Sequence, residues 1–176
     1  SGASPRIPFD IVLNNLAGLA WTTGRITMTS DGMPWRPLVH VQDICRAVIL
    51  TLRAPRGDVA GQVMNVGDNN HNYRVREIAD TIGRVFPNCK IELGGNAGDN
   101  RSYRVCFDKI AKVLPGFRCE WDADRGARQM RRLFEHIGME PRDFNPSPFP
   151  RLGELQPLVD TKQIDADFYW RPHDFS

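Results

Sequence analysis

The side chains in this sequence that are best suited to binding chemistry are arginines. Arginine supplies 19 of the 23 basic residues and lysine only 4. A guanidinium group directs two donors onto a phosphate or a carboxylate, so the bias favours recognition of an anion. The codon usage of a GC-rich genome would produce the same bias. Two arginines stand in polar, turn-rich surroundings, Arg36 within residues 31–43 and Arg101 after a Gly/Asn-rich stretch.

The cysteines and histidines argue against metal and disulfide chemistry. The four cysteines are widely spaced without a Cys-x-x-Cys pair, and the four histidines form neither His-x-x-x-His nor His-Glu-x-x-His. Neither a zinc site nor a disulfide framework is indicated. We therefore expect no metal, buried unpaired thiols and a cytoplasmic location. The residues concerned are Cys45, Cys89, Cys106, Cys119, His40, His71, His136 and His173.

Length and composition indicate one ordinary globular domain. The chain has 176 residues, of which 41% are apolar and 25% charged. Its net charge of +2 is too small to argue for nucleic acid or an anionic membrane as a partner. No stretch approaches the ~18 apolar residues of a membrane span, and no charged-then-apolar leader begins the chain. Nucleic acid and membranes are therefore not expected partners.

The elements that must position the arginines alternate between helix and strand. Apolar residues recurring every three or four positions predict five helices, over residues 9–23, 43–52, 73–86, 108–114 and 122–137. Short β-type runs predict strands over residues 25–29, 35–41, 62–66 and 90–93. This alternation is typical of an α/β fold. The apolar run 62–66 is expected to be a strand covered on both faces, which requires a larger sheet supplied by something else. Asn14 and Asn15 are unusual inside a helix and are expected to contact an absent half or solvent.

Several short motifs occur in the order of one known family. Residues 31–43 (DGMPWRPLVHVQD) resemble the "DGxxxRxxxHVxD" segment of the extended short-chain dehydrogenases/reductases, the NAD-dependent epimerases and dehydratases of sugar nucleotides. Residues 64–67 (MNVG) are similar to that family's "FNVG" strand, and residues 98–103 (GDNRSY) to its "GDxRxY" loop. Residues 4–6, 75–79 and 107–110 also fit the family's pattern. The resemblance therefore spans nearly the whole chain.

The resemblance implies that the chain is the C-terminal half of such an enzyme. Residues 1–151 would form the substrate-binding region with the last strand of a Rossmann-type sheet, and residues 152–176 a C-terminal tail. The N-terminal NAD-binding domain, with its Gly-rich turn, its Ser/Thr and its Tyr-xxx-Lys pair, would be absent. Residues 94–98 have the wrong spacing for that turn, and no tyrosine has a lysine four residues later: Tyr73, Tyr103 and Tyr169 precede Glu77, Phe107 and His173. We expect no catalytic residue and no bound NAD(P) in this chain alone, although the intact isomerase or lyase would use NAD(P).

The resemblance also implies a site for the nucleoside diphosphate of a nucleotide sugar. Arg36 would bind the diphosphate. Asp99 would accept hydrogen bonds from the ribose hydroxyls, with Arg101 beside it. Thr27 and Met28 would lie on the strand that passes the base. Alternatives stay open for most of these residues. Arg36 would otherwise be an ordinary surface arginine, Asp99 and Arg101 would be a solvated pair, and Met28 would be a core residue. The expected protein partner is the missing Rossmann half or a second copy. The alternative function is a stand-alone, non-catalytic binding module.

Two further residues of the motif, His40 and Asp43, are expected to serve structure rather than chemistry. A single histidine between Val39 and Val41 usually satisfies its own neighbourhood, and an aspartate in the first turn suits the helix dipole.

Overall fold

The computed structural model describes residues 1–3, 7–28, 30–92, 94, 101–144, 155, 157–165 and 167–171. Within these ranges the longer elements are helices and the strands are very short. The helices are α1 (Val12–Thr23), α2 (Val41–Arg53), α3 (Arg56–Val59), α4 (Val75–Val85), α5 (Asp108–Val113) and α6 (Ala123–Ile137). The strands are β1 (Arg25–Thr27), β2 (Trp35–Pro37), β3 (Asn72–Arg74) and β4 (Lys90–Glu92), and single 3₁₀ turns cover Asn69–His71 and Pro141–Asp143.

The strands form two small sheets, one parallel and one antiparallel. β1 pairs in parallel with β4, so that Ile26 lies opposite Ile91. β2 pairs antiparallel with β3, so that Arg36 lies opposite Tyr73. Helices alternate with these strands along the chain, and the predicted α/β class is confirmed.

The five predicted helices are present, four of them with shifted starts. α2 begins at Val41, two residues early, because His40 caps it: the His40 imidazole accepts a hydrogen bond from the Gln42 amide at 3.2 Å. α4 begins at Val75 rather than at residue 73, because residues 72–74 pair with β2 as a strand. Helical periodicity thus locates these helices, and local capping and strand pairing set their ends.

The predicted strand over residues 62–66 is wrong. This segment is irregular, and the Val63 side chain is 83% exposed. Met64 and Val66 are half-buried against neighbouring apolar residues. An isolated strand has no partner for its backbone groups, and no other strand adjoins this segment within the described ranges. The segment is apolar as predicted, but the described residues contain no sheet that would make it a strand.

The main core lies between α1, α4 and α6, with β1 against it. Its largest completely buried side chains come from all four elements: Leu13, Ile26, Ile78, Ile82, Met130 and Phe134. The pairs 78/82 and 130/134 are spaced one turn apart, so each helix presents one apolar face. Burying each of these side chains contributes roughly 1.5–3 kcal/mol, and this core holds β1 in place.

A second, smaller core joins α2 to α5. It consists of Ala47 on α2 and four residues in and around α5: Phe107, Ile110, Leu114 and Phe117. At the start of α2, the completely buried Asp43 carboxylate accepts hydrogen bonds from the backbone amides of Glu120 (3.0 Å) and Trp121 (3.2 Å). These bonds tie α2 to the segment that leads into α6.

The expectation of four buried thiols is wrong, because none of the four is fully buried. Cys45 and Cys106 are exposed, whereas Cys89 and Cys119 are half-buried. Burial, assisted by Asp43 and Asp68, raises the pKa of Cys119 to about 12. The Cys119 thiol is therefore protonated and unreactive at neutral pH.

None of the helices in the described ranges is long and apolar enough to cross a membrane.

Candidate functional site

A cleft of about 480 Å³ opens between the first half of α1, the end of β1, and β2. Four of the five predicted binding residues line it: Thr27, Met28, Arg36 and Arg101. The fifth, Asp99, lies outside the described residues. Side chains that are distant in sequence are therefore brought to one cavity.

Arg36 stands on β2 with its guanidinium held in a fixed position. Its Nη1 donates a hydrogen bond to the Trp35 carbonyl at 2.9 Å and another to the Arg101 carbonyl. Its guanidinium carbon lies 5.4 Å from the centre of the Tyr103 ring. Backbone carbonyls and an aromatic face orient the group, so the cation lines the cleft in a defined plane.

The segment 101–103 runs beside β2 and completes one wall. The Trp35 amide donates to the Ser102 hydroxyl at 3.1 Å, and the Tyr103 amide donates to the Trp35 carbonyl at 3.3 Å. These bonds place Arg101 and Tyr103 next to Arg36 in the lining. The two motifs that carry Arg36 and Arg101 thus meet in space.

Thr27 ends β1, Met28 follows it, and both line the cleft. Thr27 is exposed, whereas Met28 is buried in the main core. The Met28 amide donates to the Glu92 carbonyl at 3.0 Å, which extends the pairing of β1 with β4. The alternative that Met28 is a core residue agrees with this burial.

The start of α1 is electrostatically unlike the starts of the other long helices. α1 has no side-chain cap and no acidic residue in its first turn, and Ile11 and Val12 line the cleft. By contrast α2, α4 and α6 carry Asp43, Glu77 and Asp124 in their first turns. The positive end of the α1 dipole therefore favours an anion in the cleft, and the exposed Asp10 in the same lining opposes one.

Sequence reasoning missed four polar residues of the cleft: Asp10, Asn15, Ser30 and Tyr103. For two of them the sequence contained a feature that could have revealed them. Asn15 belongs to the unusual helical Asn pair, and Tyr103 ends the motif of residues 98–103. The expectation that Asn14 contacts an absent half or solvent is wrong. Asn14 is completely buried, and its side-chain amide donates to the Pro8 carbonyl at 3.1 Å.

His40 lies outside the cleft lining and has a structural environment. Its Nε2 donates to Gln129 Oε1 at 2.9 Å, and its ring stacks on Trp121 with centres 4.0 Å apart. Burial lowers the pKa of His40, although the hydrogen bond to Gln129 opposes the shift. Both ring nitrogens are engaged in the neutral form, which agrees with the structural interpretation.

The described residues do not fit the pyrophosphate of a dinucleotide. That group sits on a Gly-rich turn at a helix N-terminus. Residues 7–11, which lead into α1, contain no glycine, and the other long helices begin with the acidic side chains already named. The cleft instead offers two arginines without such a turn.

The fold is shared with solved enzymes of nucleotide-sugar metabolism. The chain is similar to an NAD-dependent NDP-hexosamine 5,6-dehydratase of tunicamycin biosynthesis (TM-score 0.66, 12% identity, 81% of this chain and 45% of that one). It is also similar to a UDP-glucuronic acid 4-epimerase from Bacillus cereus (0.64, 14%, 78% and 43%). A third is the UDP-glucose 4-epimerase of Bifidobacterium longum (0.60, 20%, 80% and 42%). These likenesses establish a mixed α/β fold similar to part of the Rossmann-type short-chain dehydrogenases/reductases.

A sequence comparison points to the same group. Residues 5–67, which include α1, both strands that carry cleft residues, and α2, match the NAD dependent epimerase/dehydratase family. The chain spans less than half the length of each of the three solved enzymes.

Proposed function

We propose that this chain is the substrate-binding half of an NAD-dependent epimerase or dehydratase, and that its cleft binds the nucleoside diphosphate of a nucleotide sugar. The observation that carries the proposal is the cleft itself. Residues 27 and 28, Arg36 and Arg101 come from separate parts of the sequence and line one cavity.

The chemistry of the cleft suits such a ligand. A volume of about 480 Å³ lies within the ~300–1,000 Å³ of small-molecule sites. Arg36, Arg101 and the uncapped start of α1 provide positive potential for a diphosphate. Phe9, Leu16 and Val75 provide an apolar wall for a base. Two of the solved relatives support this assignment, since one was crystallised with UDP-glucuronic acid and NAD and another with NAD+ and UDP.

Arg36 is proposed as the principal diphosphate ligand. Its guanidinium is already oriented, so less conformational entropy is lost on binding than for an unrestrained side chain. A hydrogen bond to a charged group contributes roughly 1.5–3 kcal/mol. In a cleft open to water we expect the lower end of that range and a millimolar dissociation constant, about −4 kcal/mol.

The test is a titration of the chain with UDP, dTDP and GDP, followed by amide chemical shifts. Arg36→Ala should weaken binding about tenfold, which corresponds to about 1.4 kcal/mol. Arg36→Lys should restore it only in part, because an ammonium keeps the charge but loses the planar pair of donors. Added salt should weaken it further.

The matched control is Arg25→Ala. Arg25 is an exposed arginine at the other end of β1, paired with Glu92 at 3.6 Å and absent from the cleft lining. Unchanged midpoints are expected for it. If Arg36→Ala binds as wild type does, Arg36 is not the diphosphate ligand. If no diphosphate binds at tens of millimolar, the cleft of this chain is not a nucleotide site.

The proposal divides the enzyme's work between two halves. NAD, held by the other half, would supply the hydride chemistry, and the proton-transfer residues would lie there too. This chain's own residues would hold the diphosphate and the base and so fix the sugar in position. A stand-alone, non-catalytic binding module remains the alternative. It predicts nucleotide binding without any gain of turnover when an NAD-binding half is supplied.

A further inference from the structure

Two arginines outside the cleft lining share one indole ring. Arg74 lies opposite Trp35 in the pairing of β3 with β2, and its guanidinium carbon is 5.1 Å from the centre of the Trp35 ring. The guanidinium carbon of Arg104 is 4.7 Å from the same ring centre. Two cations are thus held close together, and we call Trp35, Arg74 and Arg104 the Trp35 patch.

Neither guanidinium of the Trp35 patch has a carboxylate partner in the part of the chain that the structure describes. The ion pairs there involve other arginines. Arg74 Nη1 donates to Met33 Sδ at 3.3 Å, and a thioether is a weak acceptor. The Glu77 carboxylate accepts from the Arg74 backbone amide at 2.6 Å, at the start of α4. Because two like charges on one ring repel each other, their arrangement favours an anion that binds both.

The Trp35 patch lies on the other face of β2 from the cleft. Successive side chains of a strand point to opposite faces, and Arg36, which follows Trp35, lines the cleft. None of the three patch residues belongs to that lining. The patch is anchored to the segment that follows, because the Trp35 amide donates to Ser102 and the Trp35 carbonyl accepts from the Tyr103 amide. An anion at the patch is therefore a different group from the diphosphate assigned to Arg36.

A hollow of about 380 Å³ adjoins the Trp35 patch. Trp35 lines it together with polar side chains of α4 and of residues 70–73: Asn70, Asn72, Tyr73, Glu77, Asp80, Thr81 and Arg84. Asp80 has no ion-pair partner among the described residues, and Arg84, one turn away, donates instead to the Thr81 hydroxyl at 3.0 Å. The carboxylates of Glu77 and Asp80 repel a phosphate but accept hydrogen bonds from hydroxyl groups. The hollow therefore suits an uncharged group that carries hydroxyls.

We propose that the Trp35 patch binds the phosphate of a phosphorylated polyol, such as a sugar phosphate, and that the hollow holds its hydroxyl-bearing part. Each guanidinium directs two donors onto phosphate oxygens, and the bound dianion relieves the repulsion between Arg74 and Arg104. The indole already orients both cations, so less side-chain freedom is lost on binding. This site is separate from the cleft and does not rest on the proposed function.

The test is a titration of the Arg36→Ala chain with glucose 1-phosphate at pH 8 and constant ionic strength. Arg36→Ala removes the proposed cleft ligand, and the phosphate carries nearly two negative charges at this pH. The reporter is the Trp35 indole N–H, one of four indole signals in the NMR spectrum, assigned with Trp35→Phe. We expect a saturable shift with a millimolar midpoint.

Removing both patch arginines, by Arg74→Gln with Arg104→Gln, should weaken this binding at least about tenfold, which corresponds to about 1.4 kcal/mol. The matched control is Arg53→Gln with Arg56→Gln, which removes the same charge from exposed positions in α2 and α3. Its midpoint should change by less than about twofold. Arg104→Lys is a milder variant that should keep part of the affinity, because an ammonium retains the charge but not the planar pair of donors.

Inorganic phosphate tests the hollow, since it has nearly the same charge at pH 8 and no hydroxyl-bearing part. It should bind the Trp35 patch about threefold more weakly than glucose 1-phosphate. Asp80→Ala should remove that difference by weakening the sugar phosphate alone. Equal affinities of the two probes for the unsubstituted hollow would overturn the assignment of a polyol ligand.

Three results would overturn the phosphate site. They are an unchanged midpoint without Arg74 and Arg104, an equal loss in the control, and no saturation at tens of millimolar. Binding of glucose 1-phosphate that requires Arg36 would instead place this ligand in the cleft. The UDP midpoint of the otherwise unaltered chain should not respond to Arg74→Gln with Arg104→Gln, so failure at the patch is distinguishable from failure of the nucleotide cleft.

Discussion

At the scale of single residues, the "HVxD" part of the motif builds structure around the site rather than chemistry in it. Asp43 accepts two backbone amides, and His40 joins Gln129 to the start of α2. Both side chains are buried, and neither lines the cleft. Leaving such donors without an acceptor costs roughly 1–3 kcal/mol each. Their role is to hold α2, and hence β2 with Arg36, against α6.

We expect His40 to make the stability of the fold depend on pH. Burial lowers its folded-state pKa below the usual 6.5, so the unfolded chain binds more protons as the pH falls below about 6.5. Protonation also removes the acceptor that caps α2. We expect the free energy of unfolding to decrease from pH 7 to pH 5. Nearby Asp43 opposes the shift and Arg125 reinforces it.

The measurement is urea unfolding at pH 7 and pH 5 for wild type and for His40→Asn, with the imidazole titration followed by NMR. The variant should be less stable at pH 7 and should lose most of the difference between the two pH values. Asp108 and Glu120 also have lowered pKa values. Their contribution to the stability of the fold is lost only as the pH falls into the ordinary range of carboxyl groups. An unchanged pH dependence in His40→Asn would contradict the assignment to His40.

At the scale of elements, the turn between α1 and β1 sets where the cleft lies. Gly24 ends α1 in the left-handed region, with φ 64°, and its amide donates to the Ala20 carbonyl at 3.2 Å. A Cβ at this position would meet nothing within 4 Å, so the only obstacle to a side chain is the backbone conformation. A residue other than glycine pays roughly 1–2 kcal/mol there.

We therefore expect Gly24→Ala to lower the free energy of unfolding by about 1 kcal/mol in urea titrations. The matched control is Gly57→Ala in α3, which is equally open but has helical backbone geometry. Alanine should be neutral or stabilising there, by up to about 1 kcal/mol. Equal effects at the two positions would show that the conformation of Gly24 does not limit the turn.

The elements also show what the sequence can and cannot reveal. The helices were predictable because the spacing of Ile78 and Ile82, or of Met130 and Phe134, is a property of the sequence alone. The absence of a strand over residues 62–66 was not predictable, because strand formation depends on a partner that sequence periodicity cannot detect. The apolar side chains that suggested a strand there are present, but Val63 is exposed.

The cleft was predictable only in part, for a related reason. Arg36, Arg101, Thr27 and Met28 were found through a resemblance in sequence motifs. Asp10 and Ser30 belong to no motif and become visible only when α1 and β1 are placed side by side. Asp99 remains a prediction, since it lies outside the described residues.

At the scale of the whole molecule, the described part of the fold has a cleft lined by arginines but no helix start of the kind that binds a dinucleotide. Within the described ranges, the helix starts either carry acidic side chains or, at α1, lack a glycine turn. Both features disfavour a dinucleotide pyrophosphate. No tyrosine in the sequence has a lysine four residues later. The proposed function accordingly assigns the cofactor and the proton-transfer residues to another half of the enzyme.

This division predicts that the chain alone has no NAD-dependent turnover. A panel of UDP-, dTDP- and GDP-sugars incubated with the chain and NAD should give no product above a blank without protein, and no NADH absorbance. The physical reason is that epimerisation and dehydration need a base within hydrogen-bond reach of the sugar, and a bound cofactor. The same panel with an NAD-binding half supplied tests whether the two halves react together. Turnover there that depends on Arg36 supports the two-half enzyme, whereas turnover by the chain alone would show that residues outside the recognised motifs perform the chemistry.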